Sequence, residues 1–446
     1  MTGVNEAAFA IKNQYSGLLK WLAVALLLPF VASAQDSADR HIAQDGEGIR
    51  RGSVPESVQI LEETIERLTD APLYRDNSVE LLLDGPETHA AMLEAIASAK
   101  HEVHLETYIF ADDEIGAKFA KALTAKAREG VTVRVIYDSI GSRDADGDLW
   151  SEMQTAGVAV KTFNPVDPTE DHNPFDIDKR DHRKLLIVDG RVAFTGGINI
   201  DRNYAHPSDV VGGASTKSGW RDTHIRIAGP AVEAFQKLFV GLWEMLDEPL
   251  AQPPYAPRNL KEGDTLVRVL TAVGGNGETS QIWVAYQAAA KVARERIWIT
   301  QSYFAPDDEL LEAIREAAAR GVDVRILVAG FSDSQVLLNA SRAYYSDLLE
   351  AGIKVYESQE QILHAKTMVV DGYWSTVGSS NLDYLSFLHN HEANAVILGA
   401  RFASQLEDVF SADLENAKQI ELDAWRDRSL WERTKELGSY LIRYRL

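Results

Sequence analysis

No cysteine occurs anywhere in the 446 residues. That excludes disulfide scaffolds, zinc–thiolate sites and thiol nucleophiles, although it does not decide the compartment. Basic residues are scarce: 45 Lys and Arg face 67 Asp and Glu, a formal net charge of −22. A field of that sign repels polyanions, so no nucleic acid is expected as a partner. An anionic lipid would need a locally basic site. Long apolar runs are missing too. The stretch Trp21–Val31 covers about 11 residues, too few to cross a bilayer as a helix.

The rest of the composition, 45% hydrophobic and 25% charged, is that of a globular protein with a large core. Lys12 and Lys20 precede the short apolar run, and Ala32-Ser33-Ala34 follows it. Residues 1–34 therefore read as a secretory signal peptide, with an uncleaved N-terminal anchor as the alternative. Residues 35–75 read as a polar leader.

Beyond the leader the chain runs through one plan twice. Glu102–Phe110 alternates like a strand, Asp112 and Asp113 open a helical pattern, Gly130 closes it, and Val131–Tyr137 is a second strand. In the second half Arg296–Phe304, Asp307 and Asp308, Gly321 and Val322–Val328 repeat that order. Strands alternating with helices imply an α/β fold of two pseudo-twofold-related lobes. Each lobe is expected to hold a mixed, mostly parallel sheet flanked by helices. The lobes are placed at 76–250 and 265–415. The Pro-rich stretch 249–257 joins them, and 416–446 forms a C-terminal amphipathic helical tail.

The chemistry sits in a doubled motif. His182-Arg-Lys184, Asp189-Gly190 and Gly196-Gly197-Ile-Asn199 recur as His364-Ala-Lys366, Asp371-Gly372 and Gly378-Ser379-Ser-Asn381, at a constant offset of 182 residues. Asp-Gly favours a two-residue hairpin turn. Such a turn sets His182 opposite Gly197, Lys184 opposite Thr195 and His364 opposite Ser379. The Gly and Ser there leave room for a ligand near the backbone. Lys184 and Lys366 supply positive charge, and Asn199 and Asn381 neutral donors, for phosphate oxygens. One neutral imidazole can attack phosphorus while the other protonates the leaving alkoxide, with no metal or cofactor required. Asp189 and Asp371 complete the motif, but turn chemistry gives them a structural role rather than a catalytic one.

This doubled pattern is the HKD signature of the phospholipase D superfamily, which the chain resembles over residues 80–446. Leu82–Pro86, His104–Phe110, Trp220–His224 and Trp374–Asp383 look like bacterial cardiolipin synthases in particular. The resemblance implies one active site between two lobes and ping-pong phosphatidyl transfer through a phosphohistidine. It also implies acidic residues that orient each histidine across the lobes: Glu392 for His182 and Asp222 for His364. Family habit makes His182 the nucleophile. The substrates implied are phospholipids, phosphatidylglycerol first, at a membrane surface on the periplasmic side of a bacterial inner membrane. Rival readings are a phospholipase D hydrolase, a nuclease, which the acidic charge opposes, and an inactive membrane-binding protein, which the intact His–Lys pairs oppose.

Other features are weaker. Asp112–Asp113 and Asp307–Asp308 read as helix caps rather than metal ligands. Asp144-Ala-Asp146-Gly-Asp148 lacks the glycine and glutamate of a calcium loop. Lys179, Arg180, Arg183 and Lys184 form either a basic rim for lipid phosphate or a solvated charge run.

Overall fold

The computed structural model describes residues 54–429 except 146, 166–178, 207–218, 247–248, 251, 258–259, 276, 278 and 333, and adds 431, 432 and 434. The signal peptide, the leader up to residue 53 and the last residues of the tail lie outside the described residues.

The chain opens with α1 (Glu56–Leu68) and β1 (Leu73–Leu83). The first lobe continues with α2 (Asp84–Ser98), β2 (Glu102–Thr107), α3 (Glu114–Arg128), β3 (Thr132–Asp138), α4 (Gly147–Thr155), β4 (Ala159–Phe163), β5 (Leu185–Val188), β6 (Val192–Gly196), β7 (Thr223–Ala228) and α5 (Val232–Leu246). The second lobe follows as β8 (Thr265–Ala272), α6 (Gln281–Val292), β9 (Arg296–Gln301), β10 (Phe304–Ala305), α7 (Asp308–Ala319), β11 (Asp323–Ala329), α8 (Gln335–Ala343), α9 (Tyr345–Glu350), β12 (Lys354–Ser358), β13 (Lys366–Val370), β14 (Trp374–Gly378), β15 (Leu382–Asp383), α10 (Tyr384–Leu388), β16 (Glu392–Leu398) and α11 (Ala400–Glu415). β17 (Ala417–Gln419) and α12 (Leu422–Arg426) come last.

One 15-stranded sheet runs through both lobes. Outward from its centre the first lobe reads β1-β7-β6-β5-β2-β3-β4 and the second β8-β16-β14-β13-β9-β11-β12. The two orders match strand for strand, and antiparallel β1–β8 pairing joins them. Parallel pairing within this sheet is confined to β2–β3–β4 and β9–β11–β12. The expected excess of parallel strands is therefore corrected. The motif hairpins pair antiparallel, because short turns connect only antiparallel neighbours, and β7 and β16 flank them antiparallel as well.

Local chemistry explains the repeated helices. Asp113 accepts from the Ile115 and Gly116 amides at the start of α3, and Asp307 from the Glu309 and Leu310 amides at the start of α7. Gly130 and Gly321 close these helices at φ of 89° and 94°, a region glycine enters without a Cβ penalty. Helices cover both faces of the sheet. A core of Ile225, Phe235 and Phe239 with Val267, Ala395 and Leu406 spans the two lobes.

The leader ends earlier than composition implied. Val58, Leu61 and Ile65 of α1 are buried in the second lobe's core, worth on the order of 5 kcal/mol of gross burial. Glu62 accepts from Trp374 and pairs with buried Arg268 at 2.9 Å. In the tail, β17 pairs with β12, and α12 buries Trp425. No helix among the described residues is long and apolar enough to cross a membrane.

The Asp-Gly turns form with one extra residue. Asp189 and Gly190 both have positive φ, and the Arg191 amide donates to the Val188 carbonyl. Pairing then resumes at Val188 opposite Val192, so Leu185, not Lys184, faces Thr195. The second hairpin shows the same shift, with Val370 opposite Trp374. Each turn aspartate anchors the hairpin. Asp189 accepts from the Lys100, His101 and Glu102 amides at 2.7–2.9 Å. Asp371 accepts from the Arg294, Glu295 and Arg296 amides at 2.8–3.0 Å and from Ser57. Both motif aspartates thus spend their oxygens on backbone amides, a structural role rather than a catalytic one.

Asp371→Ala should therefore act on stability. It orphans three amides and leaves alanine at positive φ, and should lower the unfolding free energy by about 3 kcal/mol in denaturant titration.

Candidate active site

Two backbone bridges build the site across the lobes. Asp181 bridges His391 in parallel, and Arg221 bridges Leu363 in parallel. The His182 amide donates to the His391 carbonyl at 3.0 Å, and the His364 amide to the Arg221 carbonyl at 2.8 Å. His391 precedes Glu392, and Arg221 precedes Asp222. Each bridge thus sets a motif histidine of one lobe beside the acid of the other.

The side chains close those pairs. His182 Nδ1 lies 3.0 Å from Glu392 Oε1, and His364 Nδ1 lies 2.8 Å from Asp222 Oδ2. Both carboxylates are fully buried. Every partner of His182 Nδ1 among the described residues is an acceptor: both Glu392 oxygens and the Ser379 carbonyl, the last at 3.2 Å. His182 Nδ1 must then carry its hydrogen, and Nε2 keeps a lone pair in the neutral ring. His364 Nδ1 has mixed partners, Asp222 and the Tyr204 hydroxyl at 3.1 Å.

Lys184 Nζ donates to the His182 carbonyl at 2.6 Å, and Lys366 Nζ to the His364 carbonyl. Lys366 also donates to Ser302 Oγ at 2.8 Å, whose hydroxyl in turn donates to Asn381 Oδ1 at 2.8 Å. Asn199 accepts from the Ile109 amide with its side-chain oxygen. The two asparagines therefore brace neighbouring groups.

The titratable groups act as one unit. Burial, aided by Lys366 and opposed by Glu392, pulls Lys184 down to about 7. Burial pushes Asp222 up to about 7 against the pull of Lys366. Burial pushes Glu392 up, but His182, Lys184 and the Ser379 hydroxyl together hold it below the usual carboxylate range. Burial and Lys184 lower His182, which favours the neutral ring.

The glycines and serine at the motif ends do a different job from the one expected. A β-carbon on Gly197 would lie 2.2 Å from Asp222 Oδ1. At the matching position Ser379 donates its hydroxyl to Glu392. Small residues here seat the orienting carboxylates rather than a ligand. The basic-rim reading fails for two residues. Arg183 is buried against Glu106 at 2.6 Å and Asp181 at 3.2 Å, and Arg180 is buried beside Asp138.

Sequence reasoning missed several neighbours. The Tyr108 ring packs edge-on to His182 at 4.9 Å and lies under Lys184 at 5.2 Å. Tyr108 follows the end of β2 and Ser302 the end of β9, so the two occupy matching places. Trp220 tilts over His364 at 5.6 Å. The position just after each repeated first strand, and the residue two before Asp222, were the available signals.

The chain's similarities agree with this geometry. The family model described as "Cardiolipin synthase, PLD-like domain" matches residues 92–209 and 286–414. A cardiolipin synthase of Halalkalibacterium halodurans is 36% identical over 86% of this chain and 75% of its own length. One from Listeria monocytogenes is 37% identical over 83% of this chain and 76% of its own length. In fold, the chain resembles a phosphatidylserine synthase of Haemophilus influenzae, with a TM-score of 0.67 at 14% identity, covering 86% of this chain and all of the other. A polyphosphate kinase of Porphyromonas gingivalis gives a TM-score of 0.52, also at 14% identity, covering 86% of this chain and 54% of the other.

The Lys184 ammonium makes anion binding depend on pH. A bound anion favours the charged form, so each pH unit above about 7 should cost inorganic vanadate up to about tenfold in affinity. Isothermal titration between pH 6 and 9 measures it, and a flat profile across about pH 7 to 9 contradicts the assignment.

Proposed function

The chain belongs to the family of cardiolipin synthases with phospholipase D-like domains, and from that premise we propose that it transfers the phosphatidyl group of one phosphatidylglycerol to the hydroxyl of a second. The products are cardiolipin and glycerol. The observation that carries the reading is the crossed pairing, His182 with Glu392 and His364 with Asp222, around two buried lysines.

In this mechanism His182 Nε2 attacks phosphorus. The phosphorus–oxygen bond to glycerol breaks, and His364 Nε2–H gives its proton to the departing oxygen. The resulting phosphatidyl-histidine is opened by the acceptor hydroxyl. Its proton passes to His364 as its oxygen bonds phosphorus and His182 is released. Lys184 and Lys366 hold the non-bridging oxygens, where negative charge grows in both transition states.

The surroundings of the two rings support the division of labour. Acceptor-only neighbours and a firmly ionised Glu392 suit a nucleophile with a fixed lone pair on Nε2. Asp222, pushed up to about 7, comes close to an imidazole in proton affinity and so shares the proton of His364 more evenly, which suits a group that gives and then takes one. The N-terminal sequence supports export and action at a membrane surface on the periplasmic side.

The test is incubation of the full chain with labelled phosphatidylglycerol in liposomes. Cardiolipin and glycerol in equal amounts are expected, whereas phosphatidic acid as the main product contradicts the synthase reading. His182→Ala should lose at least about 10⁴-fold in rate and form no phosphatidyl adduct. An adduct trapped in that variant at full yield would move the nucleophile elsewhere.

A further inference from the structure

We propose that Tyr204 is the positioning residue of the acid–base histidine: its hydroxyl, anchored by Asn199, shares His364 Nδ1 with Asp222 and aims the opposite nitrogen at the alcohol oxygens. The inference rests on the phosphatidyl-transfer reading above.

Tyr204 ends a short turn, Arg202–Tyr204, that Asp201 caps through the Asn203 amide. Its ring is buried, 1% exposed. Its hydroxyl lies 3.1 Å from His364 Nδ1 and 3.5 Å from Asn199 Nδ2, which donates to it. The phenol thus joins the asparagine of the first motif to the histidine of the second. Trp220 completes the seat, 5.4 Å from the Tyr204 ring and 5.6 Å from His364. Hydroxyl and indole together restrain the imidazole about the axis of its bond to Asp222.

The repeat shows that this device belongs to one lobe. Tyr204 stands five residues after Asn199, and Ser386 stands five after Asn381. Ser386 is buried and bears no phenol, and a main-chain carbonyl supplies the third contact of His182. A carbonyl can only accept, which fixes one tautomer. A hydroxyl can accept or donate, and so it stays bonded to the ring as its charge changes. Burial holds the phenol well above its usual range, so it keeps its proton and stays neutral beside His364.

Positioning of an acid matters only when the leaving group needs a proton. Tyr204→Phe keeps the ring and removes the hydroxyl. Its kcat with phosphatidylglycerol should fall about tenfold, part of the full value of general acid catalysis. The first turnover of phosphatidyl-p-nitrophenol, whose leaving group needs no proton, should stay within about twofold of the parent. Equal losses on both esters would make the role merely structural, and no loss on either would remove it; each result overturns the inference. Should Tyr204→Phe melt early, 3-fluorotyrosine at position 204 keeps the shape and must slow only the glycerol ester, with an equal effect on both again overturning it. A parent protein inert toward both esters would instead sink the transfer reading, and this inference with it.

Discussion

A buried carboxylate of one lobe held against a histidine of the other is the contact on which this site depends. Glu392 and Asp222 are fully buried, a costly place for a charge unless it is paired. The partner that compensates each sits in the opposite half of the chain. Removing one member of a buried pair typically costs about 3–5 kcal/mol, because the other charge is left stranded. The same pairs that orient the imidazoles therefore tie the lobes together at the place where the chemistry happens. The two parallel bridges, Asp181–His391 and Arg221–Leu363, supply the backbone register for this.

Duplication sets the symmetry, and small departures from it set the roles. Glu392 takes its extra bond from Ser379, whereas Asp222 fills the space that Gly197 leaves. Lys184 lies over the Tyr108 ring where Lys366 bonds the Ser302 hydroxyl. Two histidines with the same motif thereby acquire different protonation environments, as a two-step transfer requires.

The doubled motif and its constant offset were legible in the sequence, because they need only residue identity and spacing. The crossed acid partners came from the resemblance, and the backbone bridges explain why they cross. The hairpin register was off by one, since the Asp-Gly turn is local but the interposed Arg191 follows from how the ladder resumes. The strand directions were misjudged for a related reason: periodicity marks a strand without telling which neighbour it pairs with. Polar α1 looked like a leader because its apolar side is only Val58, Leu61 and Ile65, and their burial is decided by a lobe far along the chain. Tyr204 was invisible as a contact of His364, because no spacing rule links a tyrosine to a histidine in another lobe, and Trp220 was marked only by its place two residues before Asp222.

In the proposed reaction both imidazoles serve one phosphorus atom. A crystal structure of the protein with vanadate, which mimics the five-coordinate phosphorus, tests it most directly. One vanadate is expected, with His182 Nε2 as an axial ligand, His364 Nε2 hydrogen-bonded to the opposite axial oxygen, and Lys184 and Lys366 on the equatorial oxygens. Vanadate held by the residues of a single lobe, with the other histidine out of reach, would contradict it.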